Sequence, residues 1–311
     1  VAGSLLSPEQ KPAFLQNIKA DYDKLVIDFG NKKSTKQFLK FDDAQKNGAA
    51  IDWANYNPVA PTFTGTKILE NYPLSEIAEY IDWQPFFIAW EMHGKFPAIL
   101  TDNVIGAEAT NLYNDAQKLL KQVIDEKWLT AKGVVGFWDA NKLSADTVEV
   151  KNKQLKIKLE FLRQQVKKTA GQPNLSLADF ISPNKPDYLG AFSVTIQGIE
   201  KHIKNFEANF DDYNKIILQA LADRLAEAFA ELLHKKSRSG YWGYQSEEQL
   251  TNEQLIKEEY MGIRPAPGYP ACPDHTEKYK LFELLGGEES TGIHLTESLA
   301  MYPAASVCGW Y

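Results

Sequence analysis

The sequence predicts a mixed α+β fold built on a mainly antiparallel sheet flanked by helices. Three observations carry this prediction. Strand-like and helix-like segments do not alternate along the chain as the units of a doubly wound sheet require. Thr147 to Val150 and Leu155 to Leu162 alternate apolar with polar residues, the pattern of strands with one wetter face, which antiparallel sheets tolerate. No Gly-x-Gly-x-x-Gly follows a strand, so the fold is read as not Rossmann. A chain of 311 residues buries about three-quarters of its unfolded surface, enough for one large domain or two ordinary ones, and it is read as a single large domain.

The elements follow in order. Residues 1–20, punctuated by Pro8 and Pro12, read as a linker running into the domain. Residues 21–70 mix charges with breakers such as Asn57-Pro58 and Ala60-Pro61, and read as extended segments and turns. Glu108 to Lys127 reads as a helix, because Leu112, Ala116, Leu119, Leu120 and Val123 keep three/four spacing. Gly133 to Trp138 and Gly190 to Ile196 read as strands. The clearest helix runs from about Asp211 to Lys236: Ile217, Ala220, Leu221, Leu225, Ala228 and Leu232 form its stripe, and Asp211 and Asp212 suit its positive end. Thr251 is placed to cap a helix from Asn252 to Tyr260. A short helix near Tyr279–Leu285 and strand-like segments at His294–Met301 and Ser306–Tyr311 close the chain.

Composition narrows the function. Lys plus Arg is 34 against 41 Asp plus Glu, a net charge of −7, which disfavours a nucleic-acid binder. No run approaches the roughly 18 apolar residues of a membrane span. The start, Val1-Ala2-Gly3-Ser4, is not that of a signal peptide; it reads as a processed or tagged terminus or as a cut from a longer protein, with the cytoplasm as default compartment. Cys272 and Cys308 make no disulfide framework, and they read as unreactive packing or loop cysteines. There is no phosphate-binding Gly-Lys-Ser/Thr loop, no Gly-x-Ser-x-Gly elbow and no His-Glu-x-x-His. His93, His202, His234, His275 and His294 are scattered without ligand spacing and read mostly as surface or helix-end residues.

Two segments carry chemistry. Gly262 to Lys278 (Gly-Ile-Arg-Pro-Ala-Pro-Gly-Tyr-Pro-Ala-Cys-Pro-Asp-His-Thr-Glu-Lys) holds four prolines. Each fixes φ and removes a donor, so the loop is stiff. Arg264 offers a planar fork to a carboxylate or phosphate, Gly268 permits close backbone approach, and Tyr269 adds a flat face. The same residues also suit a rigid structural loop with Arg264 in an internal salt bridge. In Tyr80-Ile81-Asp82-Trp83-Gln84-Pro85-Phe86-Phe87 one carboxylate sits among aromatics. Asp82 there suits an ammonium or a ribose diol, or simply a helix cap or turn.

The loop Arg264 to Lys278 resembles the signature of the C-terminal activation domain of cobalamin-dependent methionine synthases. Tyr80–Phe87, the helix from Asp211 through Glu231, Tyr241-Trp242-Gly243-Tyr244, Leu295–Met301 and Gly309-Trp310-Tyr311 agree in order, so the likeness covers about residues 20–311. It implies a curved antiparallel sheet flanked by helices that binds S-adenosylmethionine. Such a domain docks on the cobalamin-binding module of the same chain and supplies a methyl group, while a flavodoxin-type protein supplies an electron. Inactive cob(II)alamin is thereby returned to methylcobalamin in an enzyme that makes methionine from homocysteine.

By the same resemblance, residues 1–20 are a linker from an upstream cobalamin module and 21–311 the activation domain. The family continues past Gly309-Trp310-Tyr311 into an aromatic pair that also contacts the ligand, so truncation at the C-terminus is expected. Arg264 matches the family residue assigned to the methionyl carboxylate. Ala266 and Gly268 match main-chain contacts to the nucleoside, Tyr269 the residue near the sulfonium, and Asp82 the contact to ammonium or ribose. Glu258 and Glu227 are further acidic candidates, Glu227 being equally readable as a solvated helix carboxylate. Neither a metal ligand nor a catalytic residue is expected on this chain, since the cobalt lies on another module. The rival reading is a docking domain of the same fold that does not use S-adenosylmethionine.

Overall fold

A computed structural model describes residues 1–31, 36–152 and 155–311. It divides into two compact units: Val1–Asn47 with Gln165–Asn174, and Gly48–Gln164 with Leu175–Tyr311. Among the described residues, no helix is long and apolar enough to cross a membrane.

The first unit contains α1 (Ala2–Leu6), α2 (Lys11–Asn31) and α3 (Phe41–Lys46). The stretch read as a linker is therefore largely helical. The expectation of extended chain and turns over 21–70 is corrected at 21–31 and 41–46, while its residues 32–35 lie outside the described residues. Pro12 does not interrupt α2 because it falls in the first turn, where the missing N–H has no helical acceptor. The unit closes on itself through Asn47, whose side chain donates to Asn174 Oδ1 at 2.7 Å and whose carbonyl accepts the Asn174 N–H at 2.7 Å.

The second unit runs β1 (Gly65–Tyr72), α4 (Leu74–Ala78), α5 (Gln84–Ala89), α6 (Gly106–Asp125), β2 (Thr130–Lys142), β3 (Thr147–Asn152), β4 (Leu155–Glu160), β5 (Asp187–Gln197), α7 (Ile199–Ala208) and α8 (Asp212–Lys236). It continues with α9 (Asn252–Ile256), α10 (Glu277–Leu285), α11 (Gly287–Thr291), β6 (His294–Leu295), β7 (Met301–Tyr302) and β8 (Ser306–Trp310). The fold is α+β, and every strand pairing in its sheet is antiparallel. The order is β4-β3-β2-β5-β8, with β1 also on β2. The long β2 makes this possible: residues 131–137 pair with β1 and residues 139–142 with β3, while β5 takes the opposite edge.

Alternation along β2 and β5 serves two cores. Ala131, Val135, Phe137, Phe192, Val194 and Ile196 pack toward α6 and α8. Val134, Trp138, Ala140, Leu189 and Ala191 pack toward α10 and the β3–β4 hairpin. With both faces covered, these central strands are almost continuously buried. β3 keeps the alternation expected of it. α8 is buried nearly all round over its last three turns, Glu231 and His234 included, so its apolar stripe understates how central it is. Asp211 caps it by accepting the Asn214 N–H.

Two local expectations need correction. His294–Met301 is not one strand but two short strands, β6 and β7, because Thr296 closes a turn between them, its N–H donating to the Ala300 carbonyl at 2.9 Å. The helix expected over Asn252–Tyr260 ends at Ile256, since Glu258 turns to φ 56°. Strand β1 and helices α4, α5, α7 and α11 went unmarked in the sequence.

Candidate functional site

The proline-rich loop is laid against the last strand. The Trp310 N–H donates to the Pro265 carbonyl at 2.8 Å. Gly309 makes that approach possible, because a Cβ there would stand 2.7 Å from the same carbonyl oxygen. Beyond it the chain folds back tightly: the Gly268 N–H donates to the Cys272 carbonyl at 2.8 Å, and the Cys272 N–H to the Tyr269 carbonyl at 2.9 Å. Gly268 has φ 105°, and a side chain on it would overlap the His275 ring. Glycine is required there by the loop's own packing. The other side of the site is α8, which continues into a π-turn over Ser237–Tyr241.

Loop and helix enclose a cleft of about 640 Å³. Glu227, Glu258, Arg264, Ala266 and Tyr269 all line it, and Leu177, Phe180, Phe192 and Val307 give it apolar walls. Five of the seven residues singled out in the sequence thus share one cleft. Gly268 and Asp82 are not among its lining residues. Asp82, half-buried, accepts the Gln84 N–H at 2.9 Å at the start of α5, the turn role that its surroundings left open. A smaller, mainly apolar cavity of about 310 Å³ shares Gly262, Ile263 and Pro265 with the cleft. Its carboxylate, Asp187, already accepts the N–H groups of Ser182 and Tyr188, so the available charge chemistry lies in the larger cleft.

Arg264 is held at one atom. Its Nη2 stands 2.8 Å from Glu231 Oε2, while Nη1 and Glu231 Oε1 are buried without a hydrogen-bond partner. Burial pushes the Glu231 carboxyl up, which Arg264 offsets only in part. The internal salt bridge that the sequence allowed for Arg264 is therefore present, and the same guanidinium also lines the cleft.

Behind the pair lies a polar cluster that sequence reasoning missed. His234 is fully buried, stacked on the Tyr311 ring at 5.0 Å and edge-on to Tyr260 at 4.8 Å, with neither ring nitrogen partnered. Burial, reinforced by Arg238 and Arg264, pushes its pKa well down. Arg238 lies over the Tyr260 ring at 4.0 Å and forks onto Glu248 at 2.7 and 2.8 Å. The signal was available: Glu227, Glu231 and His234 of α8 and Arg238 just beyond it fall at i, i+4, i+7 and i+11, one polar stripe along a largely buried stretch. Cys272 and Cys308 are free and buried, and burial pushes both thiols up to about 12, which leaves little thiolate at neutral pH.

A family model described as the vitamin B12 dependent methionine synthase activation domain matches residues 73–311. A solved structure described as the MetH reactivation domain bound to AdoHcy is 48% identical, with a TM-score of 0.83, and the match covers 88% of this chain and 86% of that one. Residues 73–311 include every strand of the antiparallel sheet but β1, together with α8, the proline-rich loop and the cleft between them, and so the chain belongs to the family of vitamin B12-dependent methionine synthase activation domains.

Proposed function

We propose that the chain binds S-adenosylmethionine in the cleft and donates its methyl group in the reductive reactivation of cobalamin within a methionine synthase. One observation carries this reading: a cleft of about 640 Å³ sets one guanidinium and two carboxylates among apolar walls, its other cation, Lys278, being engaged by the Leu299 carbonyl at 2.7 Å. That size suits a small-molecule ligand, and the charges are complementary to an amino-acid end and a sulfonium. Arg264, whose side chain is 20% exposed and lines the cleft, meets the carboxylate. Glu227 and Glu258 face the cationic groups. The main chain at Ala266, the apolar wall and Tyr269, which is 64% exposed, take the nucleoside and the sulfonium region. Asp82 and Gly268 act from beside the cleft. Gly268 shapes the loop, and Asp82 reaches ammonium or ribose only from the turn before α5.

The chain is on this reading a piece of a cytoplasmic methyltransferase that forms methionine from homocysteine and 5-methyltetrahydrofolate. Residues 1–20 link it to a cobalamin-binding module, and a flavodoxin-type protein is the electron donor. Cobalamin, held by that other module, supplies the metal that accepts the methyl group. The residues of this chain bind and orient the sulfonium, and S-adenosylhomocysteine is left in the cleft. Nucleic acid and membrane have no part in this chemistry.

Calorimetric titration with S-adenosylhomocysteine tests the reading. Arg264→Ala is expected to weaken binding by about 2–5 kcal/mol, the range for removing one member of a desolvated charge pair. Arg264→Lys keeps a cation opposite Glu231 but loses the fork, and is expected to weaken binding with the fold intact by circular dichroism. Unaltered affinity in both variants would remove Arg264 from the site. No binding to the unmutated chain would favour a docking domain that does not use S-adenosylmethionine.

A further inference from the structure

Three arginines of the second unit pair with carboxylates in two ways. Arg163 forks onto Asp179 at 2.7 and 2.6 Å, and Arg238 forks onto Glu248 at 2.7 and 2.8 Å. In each, two nitrogens meet two oxygens of one carboxylate, the strongest arrangement open to such a pair. Arg264 and Glu231 pair a guanidinium with a carboxylate at a similar 2.8 Å, but the Arg264 side chain is 20% exposed where those of Arg163 and Arg238 are 2% and 0%, and only Nη2 and Oε2 meet. The fork stays open, with Arg264 Nη1 and Glu231 Oε1 both buried and unpartnered.

The surroundings explain why Glu231 alone can hold this geometry. It lies one helical turn beyond Glu227 on α8, so one carboxylate lines the cleft and the next sits beneath the guanidinium. The backbone of the loop is fixed independently through the Trp310–Pro265 hydrogen bond. What remains is the swing of the Arg264 side chain, and no other carboxylate is ion-paired with it among the described residues.

We propose that Glu231 is a positioning residue: it tethers Arg264 by one nitrogen and thereby sets the rest of the guanidinium for the carboxylate end of the ligand. Glu231 itself touches no ligand. A preset guanidinium loses little freedom when the ligand arrives, which is how preorganisation raises affinity. This inference rests on the ligand reading above and deepens it, by making recognition of the amino-acid end a property of a pair.

The test compares two ligands that share a nucleoside: S-adenosylhomocysteine, which has the amino-acid carboxylate, and 5′-methylthioadenosine, which lacks it. Glu231→Gln keeps size and polarity but removes the charge. It is expected to weaken S-adenosylhomocysteine about tenfold, the order of one charge-assisted contact, and to leave 5′-methylthioadenosine unchanged. Equal weakening of both ligands, or of neither, overturns the proposal. A second arm covers a variant that folds poorly: on an Arg264→Lys background, Glu231→Gln is expected to have little further effect on S-adenosylhomocysteine, because the guanidinium fork that Glu231 positions is already gone. A full additional tenfold loss there also overturns it. If the unmutated chain binds neither ligand, the reading of the cleft fails and this proposal falls with it; if it binds both and the variant does not discriminate, only the proposal falls.

Discussion

Two arginines of this molecule, Arg163 buried and Arg264 half-buried, illustrate opposite uses of one chemistry. Arg163 is saturated. It donates to Asp146 at 3.0 Å, to both oxygens of Asp179, and to the Ala145 carbonyl at 2.8 Å. Asp179 in turn accepts the N–H groups of Ser176 and Ala49, and these contacts hold its carboxyl below the usual range although burial works against them. The result fixes the turn Leu177–Phe180, which supplies apolar wall to the cleft. Arg264 has one carboxylate, one close contact and an unpartnered nitrogen. Buried polar groups are ordinarily satisfied, and exceptions call for an account. The saturated centre is a structural staple, and the unsaturated one is the centre that the proposed ligand would complete.

Breaking the staple is the harshest test of that contrast. Arg163→Ala strands two buried carboxylates and is expected to destabilise the fold by about 3–5 kcal/mol, read as a lower urea midpoint. Arg264→Lys is expected to shift the midpoint far less, because a cation remains opposite Glu231 and the cleft admits water. If Arg163→Ala unfolds no more easily than Arg264→Lys, the two centres do not differ as argued.

The contrast also marks what was legible in the sequence. The α+β class, α6, α8, β2 and β5 follow from periodicity, which reports how a segment buries its own side chains. Strand β1 was not legible because its register is set by β2, far along the chain. The membership of Arg264, Ala266 and Tyr269 in one region could be anticipated from the loop they share, and that of Glu227 and Glu258 only from the resemblance. Glu231 could not: a carboxylate in a helix reads as solvated, and only the loop folding over α8 buries it. His234 escaped for the same reason. Arg163, Asp146 and Asp179 are unremarkable one by one, and their network exists only once hairpin and turn meet.

A milder change sharpens the comparison from the loop side. Gly309→Ala places a Cβ 2.7 Å from the Pro265 carbonyl and 2.9 Å from the Phe192 ring. Overpacking of this kind costs about 1–3 kcal/mol, and here it acts on the segment that carries Arg264. The expected outcome is a modest drop in urea midpoint with a clear loss of S-adenosylhomocysteine affinity by calorimetry. Lost stability with full affinity would mean that the Trp310–Pro265 contact does not place the arginine.

The smallest effect concerns how dry the surroundings of Arg264 are. His234 is buried between Tyr311 and Tyr260, and burial, with Arg238 and Arg264 adding to it, keeps the imidazole neutral in the fold. In the unfolded chain its pKa is about 6.5. The folded pKa is depressed, so above about pH 6.5 neither state binds the proton and the contribution to stability is complete. Below that, the unfolded chain takes up one proton more than the fold, and stability falls toward a limiting slope of about 1.4 kcal/mol per pH unit. Lowering the pH from 7.5 to 5.5 is therefore expected to remove about 1.4 kcal/mol through this residue. His234→Phe keeps a ring between the two tyrosines and carries no titrating group. Urea unfolding at the two pH values, on both proteins, isolates the difference, because the depressed His202 is common to them. An identical loss in the variant would show that His234 takes its proton inside the fold, and that water reaches the groups behind Arg264 as freely as it reaches the cleft.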